Sequence, residues 1–296
     1  MRSGLRILIA VGLMVFGVAL ADEASANSGG SRLLYYFTQT SFEPGATTGS
    51  ALTIFTVTNS GTSAVNAKYT IYRGSDCTRT GPTSLTLAAG ETKIIDTSTL
   101  VAYPSGVIDL WASTPGGTPI RWDFLSGKSV VVDFGSAVVT SAVVPAEKLF
   151  SDDRTITDQS TIPNENLIQE YAPLVVVGDF FPNGATSITD TIALFGPAIQ
   201  PGAVPPPSTG ASTIALNYYT FAGTKTVLTP LSASCVYSNT LANAVGPLSS
   251  GGGKVEASAG GGKGIVGWKF TKIHVASVTL LFGELLTTWL SPGTSQ

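Results

Sequence analysis

The chain is cut into short runs in which apolar and hydroxyl residues alternate, and most of these runs end near Gly, Asn or Pro. Residues 51–59, Ala-Leu-Thr-Ile-Phe-Thr-Val-Thr-Asn, are the clearest case. Side chains at a two-residue period suit a strand with one buried face, and Ser60-Gly61 breaks it as a turn. The same reading gives a return strand over 65–72, strands over 84–87 and 92–96 about the turn Ala89-Gly90-Glu91, and strands over 129–134 and 137–144. Residues 106–112 and 119–124 flank Pro115-Gly116-Gly117 and are expected to form a hairpin. Further strands fall at 174–177, 191–195, 213–221, 264–270 and 277–286, interrupted by a Pro-rich loop at 197–210 and a Gly-rich loop at 249–264. A short helix is expected at 164–171. Strands at this spacing, with no long segment of 3.6-residue period, imply an all-β chain of two tandem antiparallel β-sandwich domains rather than a parallel α/β sheet.

The N-terminus has the three parts of a secretory signal. Arg2 and Arg6 precede an apolar run at 7–20, and the small-residue sites Ala19-Leu20-Ala21 and Ala24-Ser25-Ala26 follow. A membrane anchor would need about 18 or more apolar residues, and Ser291-Pro292-Gly293-Thr294-Ser295-Gln296 carries no hydrophobic tail. The expected organisation is a signal peptide over 1–26, a first sandwich over 27–150, a polar linker over 151–173 and a second sandwich over 174–296. The mature chain is then secreted, in the extracellular space, at the cell surface or in the periplasm, with no stable membrane span. A formal net charge of −3, with no cluster of Lys and Arg, leaves no footprint for a phosphate backbone and sets nucleic acid aside. In an oxidising compartment Cys77 and Cys235 can form one bridge or remain separate buried thiols, and the sequence leaves both open.

The two halves share a block near their ends. Ala112-Ser113, Trp122-Asp123-Phe124, Ser129-Val130 and Phe134-Gly135 match Ala257-Ser258, Trp268-Lys269-Phe270, Ser277-Val278 and Phe282-Gly283 in order, each after a lone Cys. This similarity suggests a duplicated β-domain. In the first half, Thr56-Val57-Thr58-Asn59-Ser60-Gly61 and, some thirty residues on, Leu87-Ala88-Ala89-Gly90-Glu91 place two turns at strand ends. With these turns the first half resembles bacterial extracellular Ig-like domains. The resemblance implies a sandwich fold and a surface location, and brings no functional residues with it.

Chemistry is sparse. His274 is the single histidine, so any Ser-His-Asp, Cys-His or zinc mechanism would rest on it, and no Gly-x-Ser-x-Gly elbow accompanies it. Asp109, Asp123, Asp133, Glu256 and Glu284 could in principle supply a glycosidase pair, but solvent-facing strand carboxylates are the simpler reading. Asp152, Asp153 and Asp158, with Glu165 and Glu170, offer hard oxygen ligands to calcium, although no EF-hand pattern is present. Gly251-Gly252-Gly253-Lys254 and Gly260-Gly261-Gly262-Lys263-Gly264 lack the Ser/Thr and helix of a phosphate loop and read as hairpin tips. Trp122 and Trp268 recur as core residues would, and Tyr103 and Trp111, without a counterpart in the repeated block, are the better surface candidates for stacking on a sugar, although core packing is the first reading for these rings as well. These features favour a secreted, non-catalytic protein acting in adhesion or structure on cell-surface or matrix components, on glycans, or on copies of itself. A carbohydrate-binding protein or glycosidase is the alternative. A self-assembling fibre or shell subunit, using the apolar segment 278–290 as an added edge strand, is a third reading.

Overall fold

The structure, a computed structural model, describes residues 31–43, 45–100, 102–136, 138–149, 174–180, 188–195, 212–233, 235–246, 252–259, 265–275 and 278–289. The expected signal peptide, the polar linker with its helix, and the Pro-rich loop fall outside these residues. Strands β1 (Arg32–Thr38), β2 (Ala51–Asn59), β3 (Val65–Arg73), β4 (Arg79–Leu87), β5 (Thr92–Asp96), β6 (Ser105–Ser113), β7 (Leu125–Asp133), β8 (Thr140–Pro145) and β9 (Glu147–Leu149) form two antiparallel sheets. Sheet I has the order β4-β3-β6-β1-β9 and sheet II the order β5-β2-β7-β8. The remaining strands are β10 (Leu174–Phe180), β11 (Ile188–Phe195), β12 (Ser212–Tyr219), β13 (Lys225–Val227), β14 (Leu231–Ala233), β15 (Val236–Thr240), β16 (Gly253–Ala259), β17 (Val266–Val275), β18 (Val278–Leu285) and β19 (Thr287–Trp289). They make sheet III, β13-β12-β16-β10-β19 with β14 also beside β12, and sheet IV, β15-β11-β17-β18. The short helix α1 (Leu241–Val245) follows β15.

With β14 set aside, sheets I and II have the strand order of sheets III and IV, strand for strand. Of the sequence blocks that suggested a repeat, Ala112-Ser113 and Ala257-Ser258 lie in the counterpart strands β6 and β16, but the aromatic blocks do not hold equivalent places. Trp122 stands before β7 but Trp268 lies inside β17, and Phe134 follows β7 whereas Phe282 is inside β18, the counterpart of β8. The expected hairpin at 106–124 forms only at its tip, where Thr114 N donates to the Thr118 carbonyl, Ser113 bridges to Pro119 and Ile120 N donates to the Ala112 carbonyl. The chain then crosses to sheet II, where β7 pairs with β2. The expected Gly-rich loop contains β16, an inner strand of sheet III paired with β12 and β10. Gly253 opens it at φ +152°, where a Cβ would sit 2.2 Å from the Tyr219 carbonyl oxygen.

Three apolar cores hold these sheets. Leu33, Tyr35, Phe37, Phe55, Val57 and Leu110 lie between sheets I and II, where Tyr35 donates its hydroxyl to the Thr56 carbonyl at 2.9 Å. Ile192, Leu194, Leu216, Val255 and Leu286 form the core of the second half. The third core joins the halves: Leu34, Tyr36, Tyr72 and Val107 of sheet I meet Phe195, Trp268 and Phe270 of sheet IV. β18 also lies close along β8, made possible by Gly283, whose missing Cβ would stand 2.3 Å from Val144. Asn59 draws the two turns of the first half together, donating to the Ser63 and Ala88 carbonyls while its side-chain oxygen accepts from Gly61 N and Trp122 Nε1.

A disulfide joins Cys77 to Cys235, with Cα atoms 5.0 Å apart across 158 positions of sequence. Closing so long a loop removes much freedom from the unfolded chain, so the Cys77→Ser/Cys235→Ser variant should lose about 3–5 kcal/mol of stability. Urea unfolding of both proteins, with non-reducing peptide mapping of the wild type, measures this. Equal midpoints would show that the bridge adds nothing to the native state.

Candidate binding cleft between the two halves

The two-residue period of β17 sends Trp268, Phe270, Lys272 and His274 toward the first half. The row changes from apolar to charged along its length. Tyr36 lies 5.9 Å from Trp268 and 5.6 Å from Phe270 by ring centroids, and Phe42 stacks on Phe270 at 4.7 Å. One step further, Lys272 is 1% exposed and its Nζ stands 2.6 Å from Glu43 and 3.1 Å from Asp133. Asp133, at the end of β7, is fully buried and also accepts from Ser41 Oγ at 2.6 Å, Gly135 N at 2.8 Å and Phe42 N at 3.1 Å. Burial opposes its charge, but the bonds from Ser41, Gly135, Lys272 and Phe42 outweigh that opposition and hold its carboxyl below the ordinary carboxylate range. His274 sits at the edge, with Nδ1 3.1 Å from Thr279 Oγ1 and Nε2 3.5 Å from Glu43.

Beside this row the halves stand apart and leave a cleft of about 470 Å³. Its first-half wall comes from the end of β1 and the chain after it, with Thr38, Thr40, Ser41 and Glu43, and from Pro104 and Ser105. The opposite wall comes from β11 and the β15–α1 junction, with Thr189, Thr191, Ser238, Asn239 and Asn243. Tyr36 reaches across, its hydroxyl 3.2 Å from Ser238 Oγ. The junction is locally fixed. Thr240 caps α1 by accepting from Asn243 N at 3.2 Å, and Asn239 Oδ1 accepts from Thr240 N and Asn243 Nδ2. Val236 N donates to the Gly74 carbonyl beside the disulfide, which ties this end of sheet IV to the first half.

Neither Tyr103 nor Trp111, the residues singled out from sequence for stacking on a sugar, lines the cleft. Trp111 belongs to β6 and is 1% exposed, so it presents no ring to solvent and the surface-platform expectation is corrected. Tyr103 is half-buried beneath the Arg73 guanidinium, 5.5 Å from its ring centroid, with its hydroxyl 2.9 Å from Thr80. The expectation of solvent-facing carboxylates also fails for Asp109 and Asp133, both fully buried. Asp109 takes a two-pronged pair from Arg32 at 2.7 and 2.8 Å. Asp123 pairs with Arg121, Glu256 with Lys254 and Glu284 with Lys269, so these carboxylates are dispersed rather than gathered about one point. Asp152, Asp153 and Asp158 lie outside the described residues. Among the described residues no three His, Cys, Asp or Glu gather where a metal ion could sit, and no helix is long and apolar enough to cross a membrane. The cleft residues carried no sequence signal, because Ser, Thr and Asn are ordinary in strands and turns.

The Asp133–Lys272 contact predicts a pH response. A carboxyl lowered in the folded state contributes stability above its unfolded value of about 3.9, and that stability is lost as pH falls through the lower folded value. Asp133→Asn should therefore cost about 3 kcal/mol at neutral pH and lose less than the wild type as pH drops below about 4. Chemical denaturation at pH 7 and pH 3 measures both effects, and parallel pH curves for the two proteins would count against this assignment.

No family model matches the chain, and no curated protein matches it. Among solved structures, one titled as the crystal structure of the PBSX exported protein XepA aligns over 83% of each chain at 8% identity, with a TM-score of 0.22. A likeness at that level carries no argument about fold or role.

Proposed function

We propose that this is a secreted, non-catalytic protein of the cell surface or extracellular matrix, acting in adhesion or structure with its two sandwiches as a single rigid unit. The observation that carries the reading is the tie between the halves. They share the core of Leu34, Tyr36, Trp268 and Phe270, the Cys77–Cys235 bridge and the buried Asp133–Lys272 pair. Domains that close on a substrate need a smaller, more polar interface that can open, whereas these halves are joined by an apolar core and a covalent link. Such a unit suits the holding of a fixed surface geometry. Export is supported by the signal-like N-terminus and by a bridge of the kind that persists in oxidising compartments. The dispersed, cation-paired carboxylates favour this reading over a glycosidase. Fractionation of the native cells, with protease shaving of their intact surface, tests it. The protein should stay with the surface or the insoluble matrix and be lost on shaving, and recovery as a free monomer in the medium would overturn the assignment.

A second reading, assembly of copies, is favoured by β18. Among the described residues this strand hydrogen-bonds only to β17, and, although β8 packs along it, Val278, Leu280 and Phe282 are exposed at alternate positions. Edges of this kind pair with further strands unless they are blocked. Sedimentation should then show concentration-dependent oligomers that Phe282→Lys abolishes. A monomer at every concentration would remove this reading.

A further inference from the structure

The geometry points to a ligand site in the cleft between the halves, selective for a neutral, polyhydroxylated molecule the size of one or two sugar units. The inference stands on the cleft's own chemistry and not on the adhesive reading above. The cleft, at about 470 Å³, falls within the range of small-molecule sites. The Oγ atoms of Thr40, Thr189 and Thr191 and the Oδ1 of Asn243 line or border it and take part in none of the hydrogen bonds among the described residues. Thr191 is only 8% exposed, so its hydroxyl has been carried into the fold with the cleft as its remaining outlet. A hydroxyl both donates and accepts, and an amide oxygen accepts, so this wall offers the mixed set that sugar hydroxyls satisfy. Phe42, half-buried and stacked on Phe270, supplies an apolar patch against which a ring's C–H face can rest.

Charge and polarity argue against anions and lipids. The cation beside the cleft, Lys272, is held between Glu43 and Asp133, and Glu43 itself faces the space, so an anion meets a carboxylate and no free countercharge. A lipid chain would desolvate a wall of hydroxyls with nothing to bond them. The cleft is also built rather than incidental. The cap of α1 and the Asn239–Asn243 bond fix one side, and the shared core of Tyr36, Trp268 and Phe270 fixes its distance from the other. Recognition therefore needs no movement of the halves.

Saturation-transfer NMR of the full mature chain with maltose, cellobiose, lactose and chitobiose, each at about 1 mM, tests the site. At least one neutral disaccharide should receive saturation, and glucuronate should not. Thr191→Val removes a hydroxyl with little change of shape, and Asn243→Ala removes an amide from an exposed position of α1. Together they should weaken binding about tenfold, with the near-ultraviolet circular dichroism unchanged. Should the double variant fold poorly, Asn243→Ala alone should weaken binding about threefold. Absence of transfer to all four sugars, preference for glucuronate, or full binding by folded variants would overturn the assignment.

Discussion

Strand β1 belongs to two cores at once, and the rest of the molecule is arranged to keep both of its faces dry. Leu33, Tyr35 and Phe37 point into the sandwich of the first half, while Leu34 and Tyr36 point into the core shared with the second. All seven residues of the strand are buried. Large apolar side chains contribute about 1.5–3 kcal/mol each when removed from water, but the geometric consequence matters more than the sum. A sheet that is apolar on both sides must be covered on both sides. Sheet II covers one face of sheet I and the second half covers the other. The two sandwiches are for that reason not beads on a string.

The shared face also has a direction. Along β17 it runs from Trp268 and Phe270, which pack on Tyr36, to Lys272, which is buried between Asp133 and Glu43. A slide of two residues would push Lys272 into the aromatic cluster and leave Asp133 without its cation, and an uncompensated buried charge costs several kcal/mol. The apolar part of the face supplies attraction without choosing a register, and the charged part chooses it. Gly283 then sets how closely β18 approaches β8, and the Cys77–Cys235 bridge holds the far end.

Where this closure ends, the walls of the two halves diverge around hydroxyl and amide side chains. The cleft is thus set by the same packing that joins the sandwiches, and its shape is inherited from rigid strands and a capped helical turn. Neither wall has it alone: Thr38, Thr40 and Glu43 come from one half and Thr191, Ser238 and Asn243 from the other.

Half-buried strands were legible in the residues. Segments 51–59 and 92–96 coincide with β2 and β5 because one face of each is wetter than the other and the alternation survives. Strand β1 escaped that reading, since burial on both faces replaces alternation with a continuous apolar run. β16 escaped it because the glycine runs 251–253 at its start and 260–262 after it are turn signals in the sequence, and the strand supplies only Val255 and Ala257 to the core. The hairpin expected at 106–124 is kept only at its tip, because beyond Ile120 the chain leaves for the long-range pairing of β7 with β2. By itself, then, the sequence determined an all-β chain of short antiparallel strands, because side-chain period and turn chemistry act within a few residues. Only the tertiary structure decided that two sandwiches share one core, that Asp133 meets Lys272 across 139 positions, and that ordinary threonines and asparagines face each other across a cleft. Those are distances between residues far apart in the chain, which local pattern does not encode.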